Sequence, residues 1–470
     1  MKEKLFGVGW LVGTAALGAV TLMYFVLFWK LSFVDMPGNE CGSDDCPRGM
    51  GWLMLFTPAL GFLTWLLWQG VKEMQELRRS CLVRLIAAVL APVALWPGWL
   101  GYEWMRGPQM YVSGWQIPDG SGKAKPVGVW GLSNPVPGMF VRARVDGLVA
   151  FDGTGRRGWG LAAPEGTGLC ALSRTTPSGI GLLSYEGGTG GCGSQVAAVE
   201  LGEGRSLWKR DASQALVAAV GDTAVLAEPN AVTGLGLREG GERWRAPVAR
   251  DCLVRAVDGA GERAVYVEEC RAGATARLVS VDARTGARAW EAALPTVSRL
   301  GEVRVLSADP LAVHVKDTQR GTDVVLLFDA QGRERGRLPG GDLYGEPLVT
   351  GDLLVSPVKA GKKADVSAYS LIDGHRVWRT GFGDERILGL APGRSPGEIA
   401  VVGSVHGWTY LTRLGRADGK RREESTILRE VRLGNRFAFS AGPPGSYVFV
   451  NLDANDELQP TFEVMPVWGW

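Results

Sequence analysis

One short motif recurs along most of this chain at intervals of 36–49 residues, and it constrains the fold more than any other feature. In its fullest copy, a β-type run over 278–281 leads to Asp282, Thr285, Gly286 and Trp290. An aspartate starts a turn through its side chain, and a glycine supplies the positive φ that a tight hairpin needs. The tryptophan then falls on the next strand, where it can bury a large area. The motif therefore predicts hairpins and packing residues rather than a catalytic site.

Further copies of the motif predict the architecture of the domain. Those that keep the tryptophan contain Asp152, Gly155 and Trp159; Gly204 and Trp208; Gly240 and Trp244; and Gly374 and Trp378. Gly332 and Gly419 mark copies that keep only the turn, and a degenerate eighth copy runs over 451–456. This period fits one four-stranded propeller blade, which must pack on its neighbours to cover both faces. The sequence thus predicts an all-β propeller over 140–470 with seven or eight blades. Eight is favoured, with the C-terminal strands helping to close the ring.

The first 106 residues have a different character. Three runs without charged residues, about 5–29, 52–71 and 85–102, predict three transmembrane helices. The first run is longer than the apolar segment of a cleaved signal peptide, which is the alternative interpretation. Residues 107–139 are expected to be a juxtamembrane linker with the first strands.

Charge predicts the orientation of these spans. The N-terminus and the second loop are basic, whereas the first loop is acidic, with Asp35, Glu40, Asp44 and Asp45 against Arg48. The positive-inside rule then places the N-terminus in the cytoplasm and the propeller outside it, as part of a multi-pass protein of the cell membrane. The net charge is only +2, which gives no field suited to nucleic acid.

Cysteine placement is a separate indication of compartment. Six of the seven cysteines fall on the predicted outer side, and Cys81 alone falls on the inner side. Even numbers outside are typical of an oxidising environment. Four domain cysteines allow three connectivities, of which Cys170–Cys192 and Cys252–Cys270 are favoured. Cys41–Cys46 would close a short loop, with a metal or redox pair as the alternative.

Catalytic signatures are missing from the sequence. His314, His375 and His406 have no partner at metal-ligand spacing, so no metal site is predicted. The glycine-rich run over 187–193 has no helical pattern after it and therefore does not predict a phosphate site. No catalytic residue is predicted, and no cofactor-binding residue is identified.

The period and the motif over 282–290 resemble the pyrroloquinoline-quinone (PQQ)-like propeller repeat, over about residues 140–460. That family includes quinoprotein dehydrogenases and also cofactor-free propellers such as the scaffold lipoprotein of outer-membrane barrel assembly. The resemblance implies a non-catalytic, membrane-anchored binding or scaffolding propeller of the bacterial envelope, with no cofactor and with an envelope protein, a cell-wall polymer or a small ligand as its partner. One alternative is a membrane-bound dehydrogenase that uses PQQ with calcium. A second is an envelope sensor that signals through a separate chain.

Overall fold

The computed structural model describes a defined part of the chain. The described residues are 2–29, 50–73, 96, 100, 109–115, 124–131, 139–152, 157–187, 191–271, 275–296, 299–318, 322–341, 343, 345–360, 363–405, 408–423, 425–429, 431–442, 445–453 and 461–466. By their contacts, the chain divides into two compact units, Met1–Gln109 and Met110–Trp470.

The first unit contains two helices, α1 (Lys2–Trp29) and α2 (Met50–Glu73). Their contact includes a hydroxyl pair, with Thr21 Oγ1 and Thr64 Oγ1 2.9 Å apart, and Gly18 lets Thr64 approach closely. Small residues at such positions allow two helix backbones to come close together.

The prediction of three transmembrane helices is wrong. Within the described residues there are two helices of this length, and neither combines the length and the apolarity that a membrane span requires. The prediction rested on the absence of charged residues over 5–29 and 52–71, which is not by itself a measure of hydropathy. The third predicted span, 85–102, falls almost entirely outside the described residues.

The second unit is an all-β propeller of eight four-stranded blades, which confirms the predicted fold class and the favoured blade count. Blades 1 to 4 consist of β2 (Pro126–Trp130), β3 (Met139–Arg144), β4 (Gly147–Asp152) and β5 (Arg157–Ala162); β6 (Thr167–Leu172), β7 (Ile180–Gly187), β8 (Cys192–Glu200) and β9 (Arg205–Asp211); β10 (Leu216–Val220), β11 (Thr223–Glu228), β12 (Ala231–Gly236) and β13 (Glu242–Pro247); and β14 (Cys252–Ala260), β15 (Arg263–Cys270), β16 (Thr275–Asp282) and β17 (Arg288–Leu294).

Blades 5 to 7 follow in the same order. They consist of β18 (Leu300–Ala308), β19 (Leu311–Asp317), β20 (Asp323–Phe328) and β21 (Glu334–Pro339); β22 (Leu348–Thr350), β23 (Leu353–Ala360), β24 (Lys363–Ser370) and β25 (Arg376–Gly381); and β26 (Arg386–Pro392), β27 (Glu398–Val405), β28 (Trp408–Gly415) and β29 (Thr426–Arg429). In each blade the strands pair antiparallel in chain order.

Blade 8 closes the ring with strands from both ends of the unit. It contains β30 (Phe437–Ala441), β31 (Tyr447–Asn451), β32 (Thr461–Pro466) and, as its outer strand, β1 (Gln109–Trp115). Met110 pairs with Pro466 in this arrangement. The outer strands of blades 7 and 8, β29 and β1, also pair with each other, so these two blades form one eight-stranded sheet.

Each blade buries both of its faces against its neighbours. On β11, Leu226 packs toward blade 2 while Val225 packs toward blade 4, as the alternation of a strand requires. A hydrophobic cluster of this kind fills every seam of the ring. The seam between blades 8 and 1 joins Phe140 and Phe151 to Val448 and Val450.

Candidate functional site

The repeat motif forms the joints between blades. Trp159, Trp208, Trp244, Trp290 and Trp378 lie on fourth strands, and each donates its indole N–H to a carbonyl in the third-to-fourth strand turn of the next blade, at 2.7–3.0 Å. Each ring also lies against the turn glycine of that next blade: Gly204, Gly240, Gly286, Gly332 and Gly419. The glycines have φ of 64–78°, as their turns require.

The motif residues also cap their own turns. Asp282 accepts hydrogen bonds from the backbone N–H groups of Arg284 and Thr285 and from the Thr285 hydroxyl. These hydrogen bonds hold the pKa of the Asp282 carboxyl below its usual value, and the bond from the Thr285 hydroxyl has the largest effect. Asp152 ends β4, and Gly155 lies outside the described residues.

The joint between blades 5 and 6 is built differently. Gly336 occupies the place of the tryptophan, and the turn of blade 6 moves in against it, so that a Cβ on Gly336 would lie 2.3 Å from the carbonyl oxygen of Asp373. Gly374 packs on the backbone of Arg337 instead of on an indole.

Both favoured disulfides are present, Cys170–Cys192 and Cys252–Cys270, and the prediction of disulfides is confirmed. Cys252 and Cys270 are directly paired on β14 and β15, whereas Cys170 on β6 reaches past β7 to the start of β8. Both bridges lie toward the ends of blades 2 and 4 that carry the second-to-third strand turns. Cys41, Cys46 and Cys81 lie outside the described residues.

The two described histidines are parts of the scaffold. His314 on β19 is buried, and its Nε2 lies 2.6 Å from Asp323 Oδ1. His375 Nδ1 lies 2.6 Å from Asp373 Oδ1 in an exposed turn. The Ser370 hydroxyl, followed by His375, lowers the pKa of Asp373 to about 2. His406 lies outside the described residues.

A loop that the sequence did not single out extends over the central channel. Residues 173–179, here called the plug loop, connect β6 to β7 and contain a short 3-10 turn at Pro177–Gly179. The Trp130 indole of blade 1 donates to Ser173 O at 2.6 Å, and the Thr175 hydroxyl donates to Ala219 O of blade 3 at 2.5 Å. The plug loop therefore ties blade 2 to both of its neighbours.

Arg174 extends the contacts of the plug loop to blades 4 and 5. Its Nε lies 3.1 Å from Asp258 Oδ2, and its Nη1 donates to Val305 O at 2.9 Å. Asp258 is almost fully buried and also accepts a bond from the Gly259 N–H at 2.8 Å. Burial raises the pKa of Asp258, while the Arg174 charge and the Gly259 N–H act in the opposite direction.

Beside the plug loop lies a cavity of about 780 Å³ in the centre of the ring. Its walls are mainly apolar, with Leu388, Leu390, Phe437 and Phe439 from blades 7 and 8. A pocket of this size is large enough for a small organic ligand.

The side chains at this cavity do not fit a calcium-bound quinone. Calcium takes six to eight oxygen ligands, and the nearby carboxylates, Asp258 and Glu346, are each paired with an arginine, Arg174 and Arg304. Across the described part of the chain, no three histidine, cysteine or acidic side chains are placed to hold a metal together. The expectation that no cofactor is bound stays a prediction.

The sequence signal for the plug loop was weak. Its bonding partners in other blades lie 43–132 residues away from it along the chain, at distances that no local pattern reveals. Its one visible mark is its length, seven residues between β6 and β7, where blades 3 to 6 use two.

The model of the family described as outer membrane protein assembly factor BamB matches residues 192–339 and 274–451, which together span more than half of the chain. No curated protein sequence is significantly similar to this chain.

Solved propellers resemble the chain only distantly. The Dos1 propeller is 9% identical with a TM-score of 0.47, covering 77% of this chain and 96% of that one. The C-terminal WD40 domain of Sif2 is 10% identical with a TM-score of 0.43, covering 76% and 100%. Hydrazine synthase from Kuenenia stuttgartiensis is 12% identical with a TM-score of 0.40, covering 66% and 96%. At these scores the likenesses support no conclusion about function.

The repeats, their indole joints and the matched residues agree with one another. The chain therefore belongs to the propeller-repeat family that is described as outer membrane protein assembly factor BamB.

Proposed function

We propose that this chain is a non-catalytic binding or scaffolding propeller that works outside the cytoplasm and engages a protein of the cell envelope. The plug loop is the observation that carries this proposal. Its polar groups form hydrogen bonds and an ion pair with blades 1, 3, 4 and 5. The charged residues at the centre therefore hold blades together and are not available to bind a substrate. A partner protein would then dock on one of the two faces or on the outer edges of the ring.

The disulfides support the compartment. Structural disulfides persist in oxidising environments and are rare in the reducing cytosol. Two of them, in blades 2 and 4, fit a chain that folds and acts in the envelope. Family membership supports scaffolding or binding, because the repeats match those of an assembly factor.

An in-cell crosslinking experiment tests the proposal. The tagged full chain is crosslinked in its host and purified under denaturing conditions, and the expected product is a discrete adduct with one envelope protein. Arg174→Ala serves as a control that disturbs the centre alone, and the adduct should survive it. A chain that gives no adduct, while its purified form oxidises a substrate, would contradict a scaffolding role.

A second candidate is suggested by the cavity. Its volume of about 780 Å³ falls within the range of ligand pockets, which fits a small apolar ligand at the central mouth. A small apolar probe that binds the wild-type chain but not Gly389→Leu, a change that fills this cavity, would favour ligand binding at the centre.

A further inference from the structure

Six blades of the ring end in an outer strand that pairs with the third strand of its own blade and with no further strand of the described chain: β5, β9, β13, β17, β21 and β25. Such an edge presents unpaired backbone groups and can accept a strand from another chain. Natural edges are usually protected by charged residues or proline, which make such pairing unfavourable.

Five of these edges carry that protection. Charged residues stand within or along all five strands, and two of the strands end in proline: Arg205, Lys209, Arg210 and Asp211 on β9; Glu242, Arg243, Arg245 and Pro247 on β13; Arg288 and Glu291 on β17; Glu334, Arg335, Arg337 and Pro339 on β21; and Arg376 and Arg379 on β25. Each of the five therefore has at least two charges that an incoming strand would have to accommodate.

The outer strand of blade 1 has no such protection. β5 reads Arg-Gly-Trp-Gly-Leu-Ala, so its one charge stands at its first residue and Gly158–Ala162 follow without charge or proline. Trp159 is committed to the joint with blade 2, and Gly158, Gly160 and Ala162 are exposed.

Gly158 and Gly160 have no internal reason to be glycine. Neither has a positive φ, so the backbone does not demand it. A Cβ on Gly158 would lie 3.7 Å from its nearest neighbour, Ala150 O, which is ordinary contact. On Gly160 the nearest atom would be the flexible Arg157 guanidinium at 3.2 Å. Glycine within a strand often marks a place where another backbone approaches closely.

The ring itself shows that its blade edges accept a further strand, because β29 of blade 7 pairs with β1 of blade 8. We propose that the outer edge of blade 1 is a strand-addition site. It takes an extended, uncharged segment of a partner polypeptide with a carboxylate placed opposite Arg157. This inference rests on the proposed binding function and names the surface and the kind of partner segment.

Charge complementarity selects this occupant. Arg157 is exposed, lies over Gly160, and makes no ion pair with any residue in the described part of the chain. In an antiparallel addition the first residue of β5 faces the end of the added strand. An acidic residue at the end of that segment would therefore meet the guanidinium.

A defined peptide tests the proposal. The probe is an acetylated hexapeptide, Thr-Val-Thr-Val-Thr-Glu, labelled for fluorescence anisotropy and titrated with the full chain. We expect saturable binding, roughly threefold weaker when the peptide ends in lysine, which is the effect of one cross-strand charge pair. The variant Gly158→Lys with Gly160→Lys should abolish binding without lowering the melting temperature, since both sites have room for a side chain.

A matched control adds the same two charges to another edge. Ala289→Lys with Ala293→Lys alters exposed positions on β17 and should leave binding unchanged. Absence of binding to the wild-type chain, or equal binding to the Gly158/Gly160 variant, would overturn the proposal. Dimerisation of the chain alone that the Gly158/Gly160 variant abolishes would assign the edge to a second copy, and would overturn it too.

The outcomes separate this inference from the proposed function. If the peptide does not bind but the envelope-protein adduct still forms, the strand-addition site on blade 1 is overturned and the proposed scaffolding function stands. Turnover of a substrate by the purified chain would contradict the scaffold whatever the peptide does.

Discussion

The indole of Trp244 occupies the space that a side chain on Gly286 would need. A Cβ built on Gly286 would lie 2.6 Å from Cδ2 of Trp244, and the same indole donates its N–H to Ala283 O at 2.8 Å. Blade 3 is thereby fixed to the turn of blade 4 by both contact and hydrogen bond, and four other joints repeat the arrangement.

We predict that Gly286→Ala destabilises the propeller by more than its backbone conformation alone explains. A non-glycine residue with positive φ costs about 1–2 kcal/mol, and the contact with Trp244 adds to it. Gly261→Ala is the matched control, because Gly261 has φ of 60° with no atom within 4 Å of the added Cβ. Denaturant unfolding of both variants measures the difference, and equal losses would show that the indole contact has no energetic weight.

The joint without a tryptophan gives a second prediction. Gly336→Ala would place a Cβ 2.3 Å from Asp373 O, so we expect a loss of about 1–3 kcal/mol, typical of overpacking. Gly158→Ala, on the fourth strand of blade 1, has room for the methyl group and should be neutral or slightly stabilising. Thermal unfolding distinguishes them, and a neutral Gly336→Ala would mean that the seam between blades 5 and 6 is loose.

The plug loop predicts a pH dependence with a defined sign. Burial raises the pKa of Asp258, so this carboxyl contributes most to stability when protonated and loses that contribution as the pH rises through its raised pKa. Removing the opposing cation with Arg174→Met should raise the pKa of Asp258 further. At pH 7 we expect this variant to lose about 1–3 kcal/mol, toward the lower end because Arg174 is 45% exposed.

That loss should shrink as the pH falls toward 4 and Asp258 takes up a proton. The control is Arg174→Met combined with Asp258→Asn, which leaves no buried carboxylate and should show a pH-independent deficit. Urea unfolding at several pH values measures both variants. A loss in the free energy of unfolding that grows as the pH falls would mean that the pKa of Asp258 is lowered and not raised.

The disulfide of blade 4 gives a fourth prediction. Replacing Cys252 and Cys270 together by serine should cost about 2–5 kcal/mol, because the bridge closes an 18-residue separation in the unfolded chain. Reduction of the wild-type protein should lower its melting temperature at least as far, since it also opens Cys170–Cys192. An unchanged melting temperature after reduction, with free thiols verified by labelling, would contradict the pairing.

Sequence reasoning captured what is local. The turn and tryptophan seen at Gly286 and Trp290 predicted the blades, and the period of the repeat predicted their number, because a turn and the next strand are contiguous in the chain. It did not find that β1 completes blade 8, because Met110 and Pro466 are at opposite ends of the unit and no motif links them. The plug loop was not predicted for the same reason, because Arg174 contacts Asp258 and Val305 only when the ring has closed.

Two other differences have physical causes. The absence of charged residues does not by itself measure hydropathy, and it predicted three transmembrane helices where the described helices include none able to span a membrane. The turn over 329–332 was predicted, but the joint that the following strand makes with blade 6 was not. At this joint Gly336 stands in place of a tryptophan and contacts the backbone of the next blade, and a glycine of this kind is not distinctive in the sequence.

The non-catalytic role is tested by titration of the purified full chain with PQQ and calcium, followed by dye-linked assays with sugars and alcohols. A propeller whose central charges are committed to the plug loop should bind no stoichiometric quinone and reduce no dye. Stoichiometric binding at micromolar PQQ, with substrate-dependent dye reduction that Asp258→Asn abolishes, would contradict it and make the chain a dehydrogenase.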